Sequence, residues 1–408
     1  MIAKYLVPAV AVLGSAAAQS SQCTQSTATI ASPADATQLA TACKTFNGAI
    51  YVSNAAQGTV DFSGLNQVKG DFIAEHNGRL TGLSSSTLNS ITGQFRLTNL
   101  TGLSSLSFTS LNSVGSISWT SLNALDSLTF GTPGIEKAKS VVISDTFLSS
   151  LAGIDVTTLE DLDINNNHRL SIWDSSLTNL TNTMNFLANG NNFTVSLDQL
   201  TWIANMTVNN VTSFSVPALQ TVNGSASFGS NQFASFSAPN LTSTTSGNIN
   251  FVGNPKLTNV TFPQLTKLGG ALLIANNTAL ETVDGFPKLK TVGGAIKLRG
   301  NFSDVEFPAL NDVKGAFDIS STSDISAACD TFQKLAPSKQ GGDGRIQGVY
   351  HCESNNAQAN SDTGGNTSTS GTTGGSGSSG DKGNSAAGVA FNAAMLGLAV
   401  VGGLVALL

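Results

Sequence analysis

The sequence predicts an all-β fold, a parallel β-solenoid of about thirteen coils. Three observations support this prediction. A short apolar strand recurs at a nearly constant spacing, an asparagine follows many of these strands, and a proline-containing phrase precedes many of them. A repeat of 20–29 residues is typical of solenoids in which each coil contributes one strand to a parallel sheet.

The recurring strands are short, alternate apolar with polar residues, and several open with glycine, as in Gly247–Phe251 and Gly270–Ile274. Successive apolar anchors are separated by 20 to 24 residues. At the spacing of neighbouring strands, about 4.8 Å, thirteen coils form a rod of roughly 60 Å. The predicted anchors are Tyr51, Ile73, Leu97, Trp119, Ile143, Ile164, Ala188, Val208, Phe228, Phe251, Ile274, Leu298 and Ile319.

An asparagine three residues after the anchor is expected to turn inward and bond backbone groups of adjacent coils, because buried amides need partners. The predicted ladder consists of Asn54, Asn167, Asn191, Asn231, Asn254, Asn277 and Asn301. In proline-containing segments such as Phe262–Leu265 and Phe307–Leu310, the proline is expected to fix a bend and the flanking apolar residues to fill the core. The stretch Leu159–Leu170 also matches the leucine-rich-repeat pattern L-x-x-L-x-L-x-x-N-x-x-L.

Both ends of the chain carry targeting patterns. Residues 1–18 predict a secretory signal peptide, with Lys4, an apolar run and a small-residue cleavage site ending at Ala18. Residues 385–408 predict the removed propeptide of a glycosylphosphatidylinositol (GPI) anchor, with attachment at Asn384 and Gly383 as the alternative. A retained tail anchor is the competing interpretation of the apolar end.

The region between these signals divides into a folded part and a stalk. Residues 19–352 are expected to form the solenoid, and residues 353–384 a disordered stalk, because Gly, Ser and Thr dominate there and bury little apolar surface. Four cysteines permit three connectivities. Their positions at opposite ends of the folded region favour Cys23–Cys43 and Cys329–Cys352, each covering one open end of the sheet. A zinc site formed by these cysteines is disfavoured, because a secreted protein folds in an oxidising compartment where cysteines form disulfides.

Segments such as Cys43–Val52 and the later L-x-x-V-x-G-x-[FIL]-x-[IL] units resemble the L domain of growth-factor receptors. The order of signal peptide, L-like coils, Ser/Thr/Gly stalk and anchor signal resembles the fungal GPI-anchored cell-wall organisation proteins, related to the sporulation-specific wall proteins. The resemblance implies a surface glycoprotein that is required for wall organisation and integrity. It carries over no catalytic residue.

Eleven N-x-S/T sequons agree with a surface glycoprotein. We expect little glycan at Asn301, because its predicted ladder position would bury it, and heavy occupancy at Asn276. The expected N-glycosylation sites are Asn99, Asn179, Asn192, Asn205, Asn210, Asn223, Asn240, Asn259, Asn276 and Asn366.

Composition narrows the function further. A net charge of −6 and a pI near 5.0 leave no basic patch for nucleic acid. The acidic stretch Glu160, Asp161 and Asp163, near His168 and Trp173, is the best candidate for a glycosidase-type carboxylate pair. A solvated face beside a repeat core is the preferred interpretation, since no other coil supplies a matching acid or base.

The sequence therefore predicts a non-enzymatic scaffold with no catalytic, cofactor-binding or metal-binding residues. The expected partners are cell-wall polysaccharide, wall proteins or both, and contact with the membrane is through the lipid anchor alone. The expected location is the outer leaflet of the plasma membrane, with covalent transfer to the wall as a second destination. The alternative function is a β-helix enzyme that modifies wall polysaccharide.

Overall fold

The computed structural model describes residues 21–361. The predicted parallel β-solenoid of about thirteen coils is confirmed. The predicted signal peptide, the predicted attachment residue Asn384 with its alternative Gly383, the sequon at Asn366 and the predicted propeptide lie outside the described residues.

One large parallel sheet runs through all coils. It has 22 strands, because several coils contribute a short flanking strand in addition to the main one. The strands are Thr27–Ile30, Thr45–Phe46, Ala49–Val52, Gln67–Val68, Phe72–Glu75, Ser90–Thr98, Ser113–Leu122, Ser140–Thr146, Thr158–Asn165, Asn179–Leu187, Trp202–Asn209, Thr221–Val222, Ala226–Gly229, Ser243–Thr244, Ile249–Val252, Lys267–Leu268, Leu272–Ala275, Thr291–Val292, Ile296–Gly300, Asp312–Val313, Phe317–Ser321 and Tyr350–Glu353. The coils thus form one continuous solenoid on this side.

The opposite side of the solenoid carries four shorter parallel sheets. The first contains Gly58–Asp61, Leu80–Ser85, Ser105–Phe108 and Leu128–Phe130, and the second contains Ile172–Asp174, Thr194–Ser196 and Ser213–Ser215. The remaining two pair Ser235–Ser237 with Asn259–Thr261 and Thr282–Val283 with Asp304–Val305. Between the first and second of these sheets, backbone pairing on this side of the solenoid is limited to isolated bridges, such as that of Ile135 with Ile154.

A short helix and a disulfide lie at each end of the solenoid. Helix α1 (Pro33–Ala42) begins at the Ser32 cap, whose side chain accepts from the backbone N–H of Asp35, and it buries Leu39 against the first coils. Helix α2 (Ser326–Gln333) buries Phe332 against the last coils, and a 3₁₀ turn spans Ser338–Gln340. Disulfides join Cys23 to Cys43 and Cys329 to Cys352. Neither helix, nor any other within residues 21–361, is long and apolar enough to cross a membrane.

Inward side chains stack in columns along the solenoid axis. Inward apolar residues alternate with outward, mostly polar residues along the main strands, and each inward residue lies over its counterpart in the neighbouring coil. Phenylalanine rings continue this stacking; Phe228 and Phe251 have centroids 4.6 Å apart, and Phe317 and Phe332 also lie 4.6 Å apart. The core is therefore one continuous column of apolar side chains under the main sheet.

Ten of the thirteen predicted anchors occupy the inward column, and three predictions are wrong. The inward residues are Val52 and Ala74 rather than Tyr51 and Ile73, because these strands carry apolar residues on both faces. In the seventh coil the inward residue is Phe186, which pairs with Ile164 and Val208. Ala188 lies past the strand end in a left-handed turn with φ 51°.

The asparagine ladder forms, but with different members. Asn167, Asn231, Asn254 and Asn277 are buried, whereas the predicted members Asn54 and Asn191 are exposed and Asn301 is partly exposed. Counting three residues from the corrected anchors Ala74 and Phe186 gives two buried asparagines that the sequence analysis missed, Asn77 and Asn189.

Each ladder amide donates to a backbone carbonyl of the preceding coil. Asn254 accepts from the backbone N–H of Asn231 at 2.8 Å and donates to the carbonyl of Phe228 at 3.0 Å. Its own N–H donates to Asn277 Oδ1 at 2.9 Å. The ladder thereby provides hydrogen-bond partners for backbone groups in the turns, which the pairing of the strands does not reach.

The stalk was predicted to begin at residue 353, and this boundary is wrong. Residues 354–361 pack on the last coils: Ala359 is fully buried, and Asn356 Nδ2 donates to Ser320 Oγ at 2.9 Å. The backbone N–H of Asn356 also donates to the carbonyl of Ser321 at 2.8 Å. Polar groups of the last coil therefore hold a segment whose composition alone indicates no structure.

Candidate binding surface

The outward side chains of the main strands form three parallel columns, which we call the front face. The edge column contains Asp71, Gln94, Ser116, Ser140, Asp161, Thr183, Asn205, Ser225 and Asn248. The first central column contains Ile73, Arg96, Ser118, Val142, Asp163, Asn185, Thr207, Ser227 and Asn250. The second central column contains Glu75, Thr98, Thr120, Ser144, Asn165, Leu187, Asn209, Gly229 and Val252.

Side chains of the edge column bond to the solenoid itself. Asp71 accepts from the backbone N–H of Gln94 at 2.7 Å, and Asn248 accepts from that of Ala271 at 2.7 Å. Asn205 Oδ1 accepts from the backbone N–H of Ser225 at 3.0 Å. The edge column thus satisfies backbone donors where each chain turns into its strand.

Many polar side chains of the two central columns do not bond to the solenoid in this way. Within residues 21–361, the side chains of six of them have no hydrogen-bond partner, although all six are partly exposed. These six are Thr98, Ser118, Thr120, Asn185, Thr207 and Asn209. None of the six was predicted as a binding residue, although the alternation of Ser, Thr and Asn with apolar residues on consecutive strands was the available signal.

The structure separates the members of the acidic stretch. Asp161 and Asp163 share the front face, while Leu162 and Ile164 are buried. Asn182 Nδ2 and Thr183 Oγ1 donate to Asp161 Oδ1 at 2.7 and 2.8 Å, and Asn165 Nδ2 donates to Asp163 Oδ1 at 2.8 Å.

The neighbours proposed for this pair do not join it. Glu160 and His168 are exposed, and Trp173 is buried in the core on the opposite side of the solenoid. Trp119 is likewise a buried core residue. The neighbouring coils present Ser140 and Thr183 beside Asp161, and Val142 and Asn185 beside Asp163.

A cluster of charged side chains lies on the last coils, beyond the columns of the front face. Arg299 bonds Asp318 Oδ2 at 2.5 Å, and Asp318 Oδ1 lies 2.9 Å from His351 Nδ1. Nearby, burial and the negative charge of Asp330 raise the pKa of Tyr350 to about 12. Hydrogen bonds from Ser326 and Ser354 lower the pKa of Asp324. Among residues 21–361, no group of three or more His, Cys, Asp or Glu is arranged to hold a metal ion.

The sequon asparagines in the described range lie mostly in turns and on the back of the solenoid. Asn99, Asn210 and Asn276 occupy left-handed turns after main strands, with φ between 51° and 58°. Only Asn205 belongs to the front face, in its edge column. Asn301 is not a ladder residue: its Nδ2 donates to the Thr278 carbonyl at 2.8 Å, and its Oδ1 accepts from Thr322 and Asn360. Its low glycan occupancy stays a prediction, but burial in the ladder is no longer its reason.

The fold and this surface define a class: a disulfide-capped parallel β-solenoid that presents one long, weakly charged polar face. Residues 1–40 match the model of the Ecm33 family, described as "GPI-anchored cell wall organization protein". The chain is 40% identical over 338 residues to a "Cell surface GPI-anchored protein" of Arthroderma benhamiae. The aligned residues make up 83% of this chain and 85% of that relative.

Two further relatives agree. "Protein ecm33" of Aspergillus fumigatus is 39% identical over 352 residues, 86% of this chain and 85% of its own. "Sporulation-specific protein 2" of Saccharomyces cerevisiae is 31% identical over 273 residues. The aligned residues make up 67% of this chain and 54% of that protein's length. No solved structure matches the chain. The chain belongs to the Ecm33 family of fungal GPI-anchored cell wall organisation proteins, and its location is the cell surface.

Proposed function

We propose that the protein supports cell-wall organisation as a non-catalytic scaffold whose front face binds wall polysaccharide or wall proteins. The observation that carries the proposal is the series of partly exposed hydroxyl and amide groups, repeated from coil to coil on one continuous sheet. Polar groups that the fold already holds at regular spacing reduce the ordering cost of binding an extended partner.

The proposed tether is a GPI lipid attached at Asn384, with Gly383 as the alternative, after removal of residues 385–408. We expect deletion of Ala386–Leu408 to release the protein into the culture medium, because lipid attachment requires the apolar tail as its signal. Fractionation of cells and medium measures this. Continued recovery of the truncated protein only in detergent extracts would contradict the lipid anchor and favour another mode of attachment.

In this proposal the protein is also N-glycosylated, at the sequons from Asn99 to Asn276 given above and at Asn366. The disulfides Cys23–Cys43 and Cys329–Cys352 close the two ends of the sheet in this proposal. Peptide mapping that linked Cys43 to Cys329 would contradict it, since the solenoid holds those residues at opposite ends.

Deleting the gene and growing the cells with wall-perturbing dyes tests the function. We expect the deletion strain to be hypersensitive, and the wild-type gene and an Asp161→Asn/Asp163→Asn variant to restore growth equally. The enzyme alternative predicts a different result: the variant fails to restore growth although it reaches the surface, and purified wild-type protein releases products from wall glucan. That pair of results would overturn the scaffold.

A further inference from the structure

We infer that the two central columns of the front face, from the coil of Ser118 to the coil of Asn250, bind a neutral polysaccharide chain lying along the solenoid axis. This inference rests on the proposed scaffold function and assigns its surface and the chemistry of its partner.

Side chains of the edge column and of the central columns differ in what they bond. Edge side chains such as Asp71, Asn205 and Asn248 accept backbone N–H groups of the next coil, so folding itself requires them. Central side chains such as Asn185 and Asn209 have no partner within residues 21–361. These amides combine donor and acceptor groups, which are what a polyhydroxyl ligand needs.

The sequons are placed away from the central columns. The two central columns contain four asparagines, and none of them begins an N-x-S/T sequence; they are Asn165, Asn185, Asn209 and Asn250. The ten sequon asparagines of the described range lie outside both columns. Glycans attached at those positions would leave the central columns uncovered while they shield the turns and the back.

This surface carries little charge. Across the seven coils from Ser118 to Asn250, the central columns carry no Lys or Arg, and Asp163 is their one ionisable side chain. An acidic polysaccharide needs basic partners, so this surface fits a neutral chain. Outward Val142, Leu187 and Val252 add apolar contacts for the C–H faces of sugar rings.

The direction follows from the register. Equivalent side chains recur at the strand spacing of about 4.8 Å, so seven coils offer polar groups over roughly 30 Å in one line. An extended chain can contact successive coils at once, and its affinity for the protein should rise with its length up to this span.

The experiment uses the full secreted chain and fluorescently labelled linear neutral glucan oligosaccharides of increasing length. A Leu187→Thr variant turns Asn185 into a sequon residue and places a glycan in the middle of the surface. Its matched control, Ser235→Asn, completes a sequon with Phe236 and Ser237 on the back, at the position that pairs with the native sequon residue Asn259. An Asn185→Ala/Asn209→Ala variant removes two free amides without altering any sequon.

We expect wild type and Ser235→Asn to bind equally, with affinity rising with oligosaccharide length. Asn185→Ala/Asn209→Ala should bind about tenfold more weakly, the effect of losing two ordinary hydrogen bonds. Glycosylated Leu187→Thr should bind more weakly still, and trimming its N-glycans to a single sugar with an endoglycosidase should recover part of the binding.

Unchanged binding by both front-face variants, with wild-type binding intact, would overturn the surface while leaving the scaffold function standing. Absence of glucan binding by wild-type protein that still restores dye resistance would overturn the neutral-polysaccharide partner. Equal loss in Ser235→Asn and Leu187→Thr would also overturn it, since the two glycans lie on opposite sides.

Discussion

Asn254 offers the sharpest test of what holds the coils together. It is fully buried, and its side chain bonds the backbone N–H of Asn231 at 2.8 Å and the carbonyl of Phe228 at 3.0 Å. Replacing Asn254 by Ala leaves the buried backbone N–H of Asn231 without its partner. Since an unsatisfied buried group costs about 1–3 kcal/mol, the free energy of unfolding should fall by about 1–3 kcal/mol.

The matched control is Asn191→Ala. The spacing of the repeats predicts that Asn191 belongs to the same ladder, but its side chain is exposed, so its removal should change stability by less than about 0.5 kcal/mol. Equilibrium unfolding of the secreted chain in guanidinium chloride, followed by circular dichroism, measures both variants. Equal midpoints for Asn254→Ala and wild type would refute the view that the ladder stabilises the solenoid.

Three other predictions concern glycine, a strained turn and pH. A Cβ added at Gly247 would lie 1.9 Å from the carbonyl carbon of Gly224, so Gly247→Ala should abolish secretion, whereas Gly253→Asn, at an open position with φ +66°, should be secreted normally. Ala188 sits at φ 51°, so Ala188→Asn should raise the free energy of unfolding by about 0.5–1 kcal/mol; an unchanged or lower melting temperature would contradict this. The fold favours neutral Tyr350, whose pKa is raised from 10.0 to about 12, so its contribution to stability is complete below pH 10 and is lost as the pH rises towards 12. Unfolding measured across that range should show a shallower decline for Tyr350→Phe, and identical declines would count against the assignment.

Local sequence was sufficient to predict the repeat, because every coil buries its apolar side chains at the same positions as the coil next to it. The spacing of 20 to 24 residues and the alternation of apolar with polar residues therefore predicted the solenoid and most of its inward column. The same logic failed where alternation was ambiguous. Around Ile50–Val52 both faces of the strand carry large apolar residues, and before Ala188 the alternation continues past the point where the strand ends.

Tertiary structure decided which polar residues are needed for folding and which are free. Asn205 and Asn209 are both outward asparagines four residues apart, yet only the first accepts a backbone N–H from the next coil. That difference depends on how adjacent coils stack at a turn, and no pattern within one repeat contains it. The same holds for residues 354–361, whose polar composition predicted disorder. Their order comes from bonds to Ser320 and Ser321, which lie more than thirty residues earlier in the chain and become neighbours only in the folded solenoid.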